Sequence, residues 1–527
     1  MTHKIHLLYT SDTHGHWLNR PNNAHKSLLN TATTLQSLKK QYQEAGDSVL
    51  TIDLGDFIQG SSFASYLQEQ VGNAQSIARA MNQVGYDIQV IGNHEFNFGL
   101  DYLTNTLNHL SSQVLAANII SQESQEPYFG KAYQILDFEG VRLAIIGLTT
   151  HYIPNWELED HYRGIEFKDA KQTAHYYVDL LRDQADVIVL AYHGGFEADL
   201  QTFQATEQAT GENQGIEMVR EIEGIDVLLT GHQHREIAQM SQQTFTVQPG
   251  YAGEYVGHVC IEMNGNAIQS ITGSLEPVDQ SPEDTLVQEA MEPEFSQAKE
   301  WLNQPLGQAP IELPDQTDFE SKLLGHPFAE FLNQIQLKET GAQFSGVALP
   351  NQAYQAFTGE ITNETLLKTY PFFNLVAKTQ VSGQTLWEVM EYNLNYLQIN
   401  QAGQITINPT YIEPKPQHFN YDLYSGLTIK LDVHDGQIRI IDLIDEASGE
   451  SIDREKTYSL ALNQYRAAGG GDYHWFNLDQ VDYLSQDDIA NLIKKALNQF
   501  RDENWRQVNH HYRHIQWERW PERDPHC

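Results

Sequence analysis

Five places in the chain set metal-binding side chains at the end of a short apolar run, and most of them include a tight glycine turn. They are Asp12 and His14 in SDTHGH, Asp56 in LGDFIQG, Asn93 with His94 in IGNHEF, His193 in AYHGG, and His232 with His234 in GHQH. Carboxylates, imidazoles and an amide oxygen are the donors that two divalent cations need when open positions must remain for water and phosphate. Two such ions sit about 3.5–4 Å apart, so one carboxylate has to serve both, and Asp56 is the candidate bridge. The chemistry indicated is phosphoester hydrolysis at a dinuclear centre. Each motif by itself is weak: Asp-x-His after a strand is more often a turn or a cap, Asn93 can simply stabilise its turn, and Gly-His-x-His can be a solvated loop. Their joint occurrence in one order, each at a strand end, is what carries the reading. His16, His151, His161 and the late cluster His510, His511 and His514 lack that support and read as surface or core histidines.

The elements that must position these groups are legible as alternating patterns. Short β-branched runs at 5–9, 49–52, 88–91, 114–116, 143–146, 187–190 and 227–229 read as strands, and the segments 27–42, 73–84 and 171–182 suit helices. Such alternation predicts an α/β layered fold of buried strands with helical crossovers, in which functional groups collect at the carboxyl ends of the strands. Residues 245–247, the glycines at 250, 253 and 257, and residues 259–263 look like hairpins, so some antiparallel strands are expected.

At 527 residues the chain exceeds one ordinary core, and two domains are expected. We divide it into a catalytic domain over 1–280, a linker helix over 281–304 and a second domain over 305–527. The linker follows from SPEDTLVQEAMEPEFSQAKEWLNQ, and Pro305, Pro310 and Pro314 mark the boundary after it. No internal repeat is visible. The 32 Lys+Arg against 70 Asp+Glu give a net charge of −38, which argues against a nucleic-acid polymer or an anionic membrane as partner. The two cysteines, Cys260 and Cys527, imply no disulfide framework. With no signal-like start and no run long enough to span a bilayer, a cytoplasmic protein is expected. Oligomeric state is not encoded in any feature of the sequence.

In the second half, HFNYDLYSGLTIKLD at 418–432 and LNQYRAAGGGDYHWF at 462–476 set aromatics beside polar or glycine turns, as a base-stacking pocket requires. Taken alone, core packing and an ordinary glycine loop explain them better.

Together the metal motifs resemble the calcineurin-like metallophosphoesterase signature. The two aromatic stretches, with Tyr370-Pro371-Phe372-Phe373-Asn374 and VSGQTLWEVMEYN, resemble the substrate domain of the 5′-nucleotidase family. GNHEFNFGLDYL, FNYDLYSGL and NQYRAAGGG are most similar to its 2′,3′-cyclic-nucleotide 2′-phosphodiesterase/3′-nucleotidase branch. The resemblance implies a metallophosphoesterase-type four-layer αββα sandwich followed by a second α/β substrate-binding domain. It implies two divalent ions (Mn, Zn, Fe, Co or Mg), one on Asp12, His14, Asp56 and His234 and the other on Asp56, Asn93, His193 and His232. It also implies that His94 faces the phosphate as a catalytic group with Asp56, and that the substrate is a nucleotide. By position, Tyr421 or Tyr424 and Tyr473 would stack the base, Asn463 and Arg466 would contact sugar or phosphate, and Gly470 belongs to the same substrate-binding set. Where many 5′-nucleotidases carry an aspartate three residues after the glycine-led histidine, this chain has Asn97, which can hold the ring but brings no charge. The competing readings are a 5′-nucleotidase or nucleotide-sugar hydrolase with the same metal chemistry, and a nucleotide-sensing module with structural metals.

Overall fold

The β-branched runs of the first half become the parallel strands of two six-stranded sheets. This is seen in a computed structural model that describes residues 2–519 apart from 22, 207–208, 373 and 413–415; Phe373 and Cys527 lie outside the described residues. The chain forms two compact units, Met1–Trp301 and Leu302–Cys527. Residues 281–304, read above as one connecting helix, form two helices, Thr285–Ala290 and Glu294–Leu302, which fall almost wholly within the first unit. Among the described residues, no helix is long and apolar enough to cross a membrane.

In the first sheet, Thr2–Thr10, Ser48–Asp53, Ile88–Val90 and Gln113–Leu115 run parallel, and Tyr255–Asn264 and Ala267–Pro277 complete it as an antiparallel hairpin. The second sheet has Val141–Thr149, Val187–His193, Val227–Thr230 and Thr244–Pro249 parallel, edged by antiparallel Tyr133–Phe138 and Glu236–Ser241. The stretch from residue 236 to 277 therefore holds two hairpins in two different sheets, and the chain changes sheet across 250–254. Side chains alternate across each strand. Ile5, Leu7, Ile52, Val90, Ile145, Val189 and Leu229 face the interior between the sheets, whereas Ile146, Ile188, Leu190 and Leu228 pack under the helices Ala170–Leu181 and Gly215–Glu221. On the other outer face lies Leu28–Glu44, whose start is fixed by the Ser27 hydroxyl accepting the Leu29 N–H in a capping box with Asn30. The result is the four-layer arrangement of helices, sheet, sheet and helices.

The second unit is built on a mixed five-stranded sheet ordered Asp422–Ser425, Phe344–Ala348, Thr457–Asn463, Leu375–Ser382 and Val481–Asp488, with a separate four-stranded sheet. Helix Pro327–Thr340 packs against it with most of its residues buried and carries Glu330 inward. There His514 is held between two carboxylates, with Nε2 3.0 Å from Glu330 Oε2 and Nδ1 2.7 Å from Glu446 Oε1. Burial alone would lower the histidine pKa, but the hydrogen bonds and charges of both glutamates raise it from 6.5 to about 9. A folded pKa above the unfolded one means that the contribution is complete below pH 6.5 and is lost as pH rises through about 9. Thermal unfolding of the whole chain at pH 6 and pH 9.5 should therefore show a larger loss in the unaltered protein than in His514→Gln. Equal losses would remove His514 as the cause.

Candidate metal centre

The ligand candidates sit where five parallel strands run out, three from the first sheet and two from the second. The loops are joined through their backbones before any side chain is considered. The Asp12 N–H donates to the Gly55 carbonyl at 3.0 Å and the His14 N–H to the Asp56 carbonyl at 2.7 Å. Glu95, fully buried, accepts from the N–H groups of Asp56 (2.8 Å) and Gly92 (2.6 Å) on Oε2 and from Phe57 (2.8 Å) on Oε1. Gly55 and Gly92 lie where two of these loops touch. A Cβ on Gly55 would fall 2.3 Å from the Gly92 nitrogen, and one on Gly92 2.3 Å from Asp56 Oδ1. Asp12, His14, Asp56, His232 and His234 all take left-handed backbone with φ between 48° and 70°. For a non-glycine residue that conformation costs on the order of 1–3 kcal/mol and survives only where the surroundings impose it.

The side chains converge in two groups, Asp12 with His14 and His234, and Asp56 with His193 and His232. Asn93 joins the second, its Oδ1 3.2 Å from His193 Nε2 and 2.8 Å from His232 Nδ1. Asp56 reaches both. Its Oδ1 accepts the His94 backbone N–H at 2.8 Å, which leaves Oδ2 3.1 Å from His193 Nε2 and 4.0 Å from His14 Nε2. Asp12 accepts the His232 N–H at 2.9 and 3.0 Å and the Ser11 hydroxyl at 2.6 Å. His94 belongs to neither group; its ring lies edge-on to His14 with centroids 5.3 Å apart.

Whether this donor set suits cations can be judged from its tautomers. His14 Nδ1 and His193 Nδ1 lie 2.9 and 2.8 Å from the carbonyls of Gln59 and Leu54, which accept only, so each Nδ1 carries the proton and each Nε2 turns a lone pair inward. His14 Nε2 then meets His234 Nε2 at 3.2 Å, a close approach of two nitrogens that suits a cation between them. Burial keeps the His14 pKa low, favouring the neutral ligand form. Glu212 Oε1, 2.6 Å from His232 Nε2, orients that ring from behind, and Tyr251 stacks on His234 at 4.5 Å. Asp12 and Asp56 are buried, and among the described residues no lysine or arginine pairs with either. Buried carboxylates that face imidazoles and neutral donors, with no lysine or arginine paired to them among the described residues, are an environment for divalent cations.

The substrate candidates of the second unit are packed into its interior or tied by hydrogen bonds. Tyr421, Tyr424 and Tyr473 are at most 2 % exposed and belong to the hydrophobic clusters of that unit. Strand Asp422–Ser425 is covered on both faces, which buries Tyr424, and Tyr473 is tied further by a 2.8 Å bond from its hydroxyl to Asn393 Oδ1. Arg466 is equally committed: buried over the Tyr473 ring, it pairs with Asp422 at 2.9 Å and donates to the Phe419 and Gly470 carbonyls. Asn463 caps the short helix Gln464–Ala467 by accepting the Arg466 N–H. Gly470 makes room for the Tyr465 ring, which a Cβ there would meet at 2.5 Å. The exposed aromatics are the neighbours of these residues, Phe419 and Tyr465, each 37 % exposed with ring centroids 6.4 Å apart. Both lie inside the motifs FNYDLYSGL and NQYRAAGGG. Sequence reasoning missed Glu95, although Glu95 stands inside IGNHEF, and Glu212, which nothing in the sequence links to GHQH.

Glu95→Gln is expected to destabilise the fold by about 1–3 kcal/mol, because the amide must turn an N–H toward a backbone N–H whichever way it is placed. Chemical denaturation measures this, and an unchanged midpoint would contradict the assignment of both Glu95 oxygens as acceptors.

With the geometry in view, comparisons with known proteins are direct. Residues 5–236 match the family model for calcineurin-like phosphoesterase, and residues 306–478 match that for the 5′-nucleotidase C-terminal domain. A crystal structure named "Putative 5'-Nucleotidase from Staphylococcus aureus in complex with alpha-ketoglutarate" is similar over 98 % of this chain and 100 % of its own, with 32 % identity and a TM-score of 0.87. The 2′,3′-cyclic-nucleotide 2′-phosphodiesterase/3′-nucleotidase of Salmonella typhimurium is 23 % identical over 91 % of this chain and 84 % of its own length. The trifunctional nucleotide phosphoesterase protein YfkN of Bacillus subtilis is 22 % identical over 95 % of this chain, which spans 39 % of that protein's length. Two family models in this order, on the two units of the fold, with a full-length structural relative, make the chain a member of the 5′-nucleotidase family of phosphoesterase hydrolases.

Proposed function

We propose that the chain is a nucleotide phosphohydrolase dependent on two divalent cations, acting on 2′,3′-cyclic nucleotides and 3′-nucleotides. The observation that carries the dinuclear reading is Asp56 Oδ2, directed between His14 of one donor group and His193 of the other. Cations held there, drawn from Mn, Zn, Fe, Co or Mg, supply a water of lowered pKa and neutralise charge on the phosphate oxygens. Asp12, His14, Asp56 and His234 hold one, and Asp56, Asn93, His193 and His232 hold the other. His94, outside both ligand sets, steadies the phosphate and protonates the leaving sugar oxygen from Nε2. Phe419 and Tyr465 are the base contacts, since stacking on an exposed aromatic face is worth about 1–3 kcal/mol.

The cyclic and 3′ preference draws on FNYDLYSGL and NQYRAAGGG and on the name of the Salmonella relative. A 5′-nucleotidase is the second reading, favoured by the name of the Staphylococcus aureus structure. Phosphate release from metal-stripped protein given Mn²⁺ separates them. The panel is 5′-AMP, 3′-AMP, 2′,3′-cyclic AMP, UDP-glucose and p-nitrophenyl phosphate, with phosphatase added after the diesters. Preference for cyclic and 3′ substrates is expected; preference for 5′-AMP or UDP-glucose selects the second reading, and nucleotide binding without turnover leaves only a sensing module. On the preferred nucleotide, Phe419→Ala should raise KM about tenfold, a loss of ~1.4 kcal/mol, and leave p-nitrophenyl phosphate unaffected. Asp56→Ala should abolish turnover with the fold retained, and near-normal activity would remove the bridging role.

A further inference from the structure

Behind His94 the structure continues a chain of contacts that the family resemblance does not supply. His94 Nδ1 lies 2.7 Å from Asn97 Oδ1, Asn97 Nδ2 donates to Glu157 Oε2 at 2.7 Å, and Glu157 Oε1 lies 2.7 Å from His161 Nδ1. Glu157 is buried and comes from the loop after Val141–Thr149, about sixty residues from Asn97 in sequence. Its carboxylate is held from three sides, because the Leu158 backbone N–H also donates to Oε1 at 2.9 Å. The neighbouring Trp156 lies parallel to the His232 ring, with centroids 6.2 Å apart.

We infer that Glu157 is a positioning residue which, through Asn97, fixes the ring of His94 and keeps the proton on its Nδ1. The argument is one of donors and acceptors. An asparagine amide can face an imidazole with either its oxygen or its nitrogen, and its neighbours decide which. A carboxylate only accepts, so Glu157 requires the Asn97 nitrogen on its own side and turns the oxygen toward His94. An oxygen there requires an N–H at Nδ1, which confines proton exchange to Nε2, the nitrogen with no hydrogen-bond partner among the described residues. With the amide reversed, its N–H would face Nδ1, which would then have to accept, and the proton would sit on Nε2 instead. The negative charge missing at position 97 is thereby present one side chain farther out. His161, which the sequence leaves as an ordinary histidine, anchors the outer oxygen of Glu157.

The inference rests on the reading of His94 as the group that meets the phosphate. Glu157→Gln can face Asn97 with oxygen or nitrogen and so releases the amide. It is expected to lower kcat by about 10- to 100-fold, the scale on which losing an outer partner of a site imidazole acts, with KM little changed. In an Asn97→Ala background the same substitution should add nothing, since the route to His94 is already cut. The double variant Asn97→Asp with Glu157→Gln moves the carboxylate next to the ring and should recover most of the lost kcat. An independent readout is ¹⁵N NMR of metal-free, histidine-labelled protein, with the His94 signals assigned by their loss in His94→Gln. The Nδ1 of His94 should carry the proton in the unaltered chain, and Glu157→Gln should show a mixture of tautomers. An unchanged kcat in Glu157→Gln, an equal loss in the Asn97→Ala background, or a His94 Nδ1 without its proton in the unaltered chain would each overturn the inference. Failure of the unaltered protein to release phosphate would instead overturn the reading of the site on which it rests.

Discussion

Two carboxylates buried among imidazoles, with neither lysine nor arginine paired to them among the described residues, are the constraint on which the first unit depends. Asp12 and Asp56 have lost water, and what faces them is backbone N–H, one serine hydroxyl and histidine rings. Such a cluster stores repulsion and desolvation that hydrogen bonds from neutral donors offset only in part. Cations are the counterpart this cluster is shaped for. The two sheets are then the means of bringing carboxylates and imidazoles from five strands to one spot.

Holding that spot requires a frame stiffer than loops normally are. Five ligand candidates keep left-handed backbone, and the loops around them are joined by Glu95 and by the contact of Gly55 with Gly92. Each device is local, yet each depends on the sheet interior, because the loop ends are set by strands whose inward residues are packed between the sheets. A second ring of residues works on the imidazoles from outside: the Gln59 and Leu54 carbonyls fix tautomers, Glu212 and Tyr251 fix two of the rings, and the loop carrying Trp156 and Glu157 supports His232 and His94. Rings so constrained meet a metal or a phosphate without first losing much conformational freedom.

Much of this was legible in the sequence, and the parts that were not share a physical reason. Ligand types at strand ends can be read because they depend on local patterns, a β-branched run followed by Gly, Asp, Asn or His. The layered α/β fold follows from the same alternation. The change of sheet across 250–254 could not be read, since two hairpins in one sheet and two hairpins in two sheets have the same pattern. In the second unit the aromatic motifs were legible, but which of their rings lie at the surface was not. Strand Asp422–Ser425 is buried on both faces and takes Tyr424 with it, whereas Phe419 just before it and Tyr465 in the helix Gln464–Ala467 stay partly exposed, a difference of a few residues that composition does not reveal. Arg466 looked like a phosphate contact because arginine often is one; Asp422 and two carbonyls, which the fold brings to it, have already taken its donors. Glu212 and Glu157 are contacts between distant loops, and no spacing encodes them.

The central claim is that Asp56 stands between two cations. It is tested most directly by anomalous X-ray diffraction at the manganese edge from crystals of the full chain loaded with Mn²⁺. Two peaks about 3.5–4 Å apart, one beside His14 and His234 and the other beside His193 and His232, with Asp56 between them, are the result this account predicts. A single peak, or two peaks of which only one touches Asp56, would contradict it.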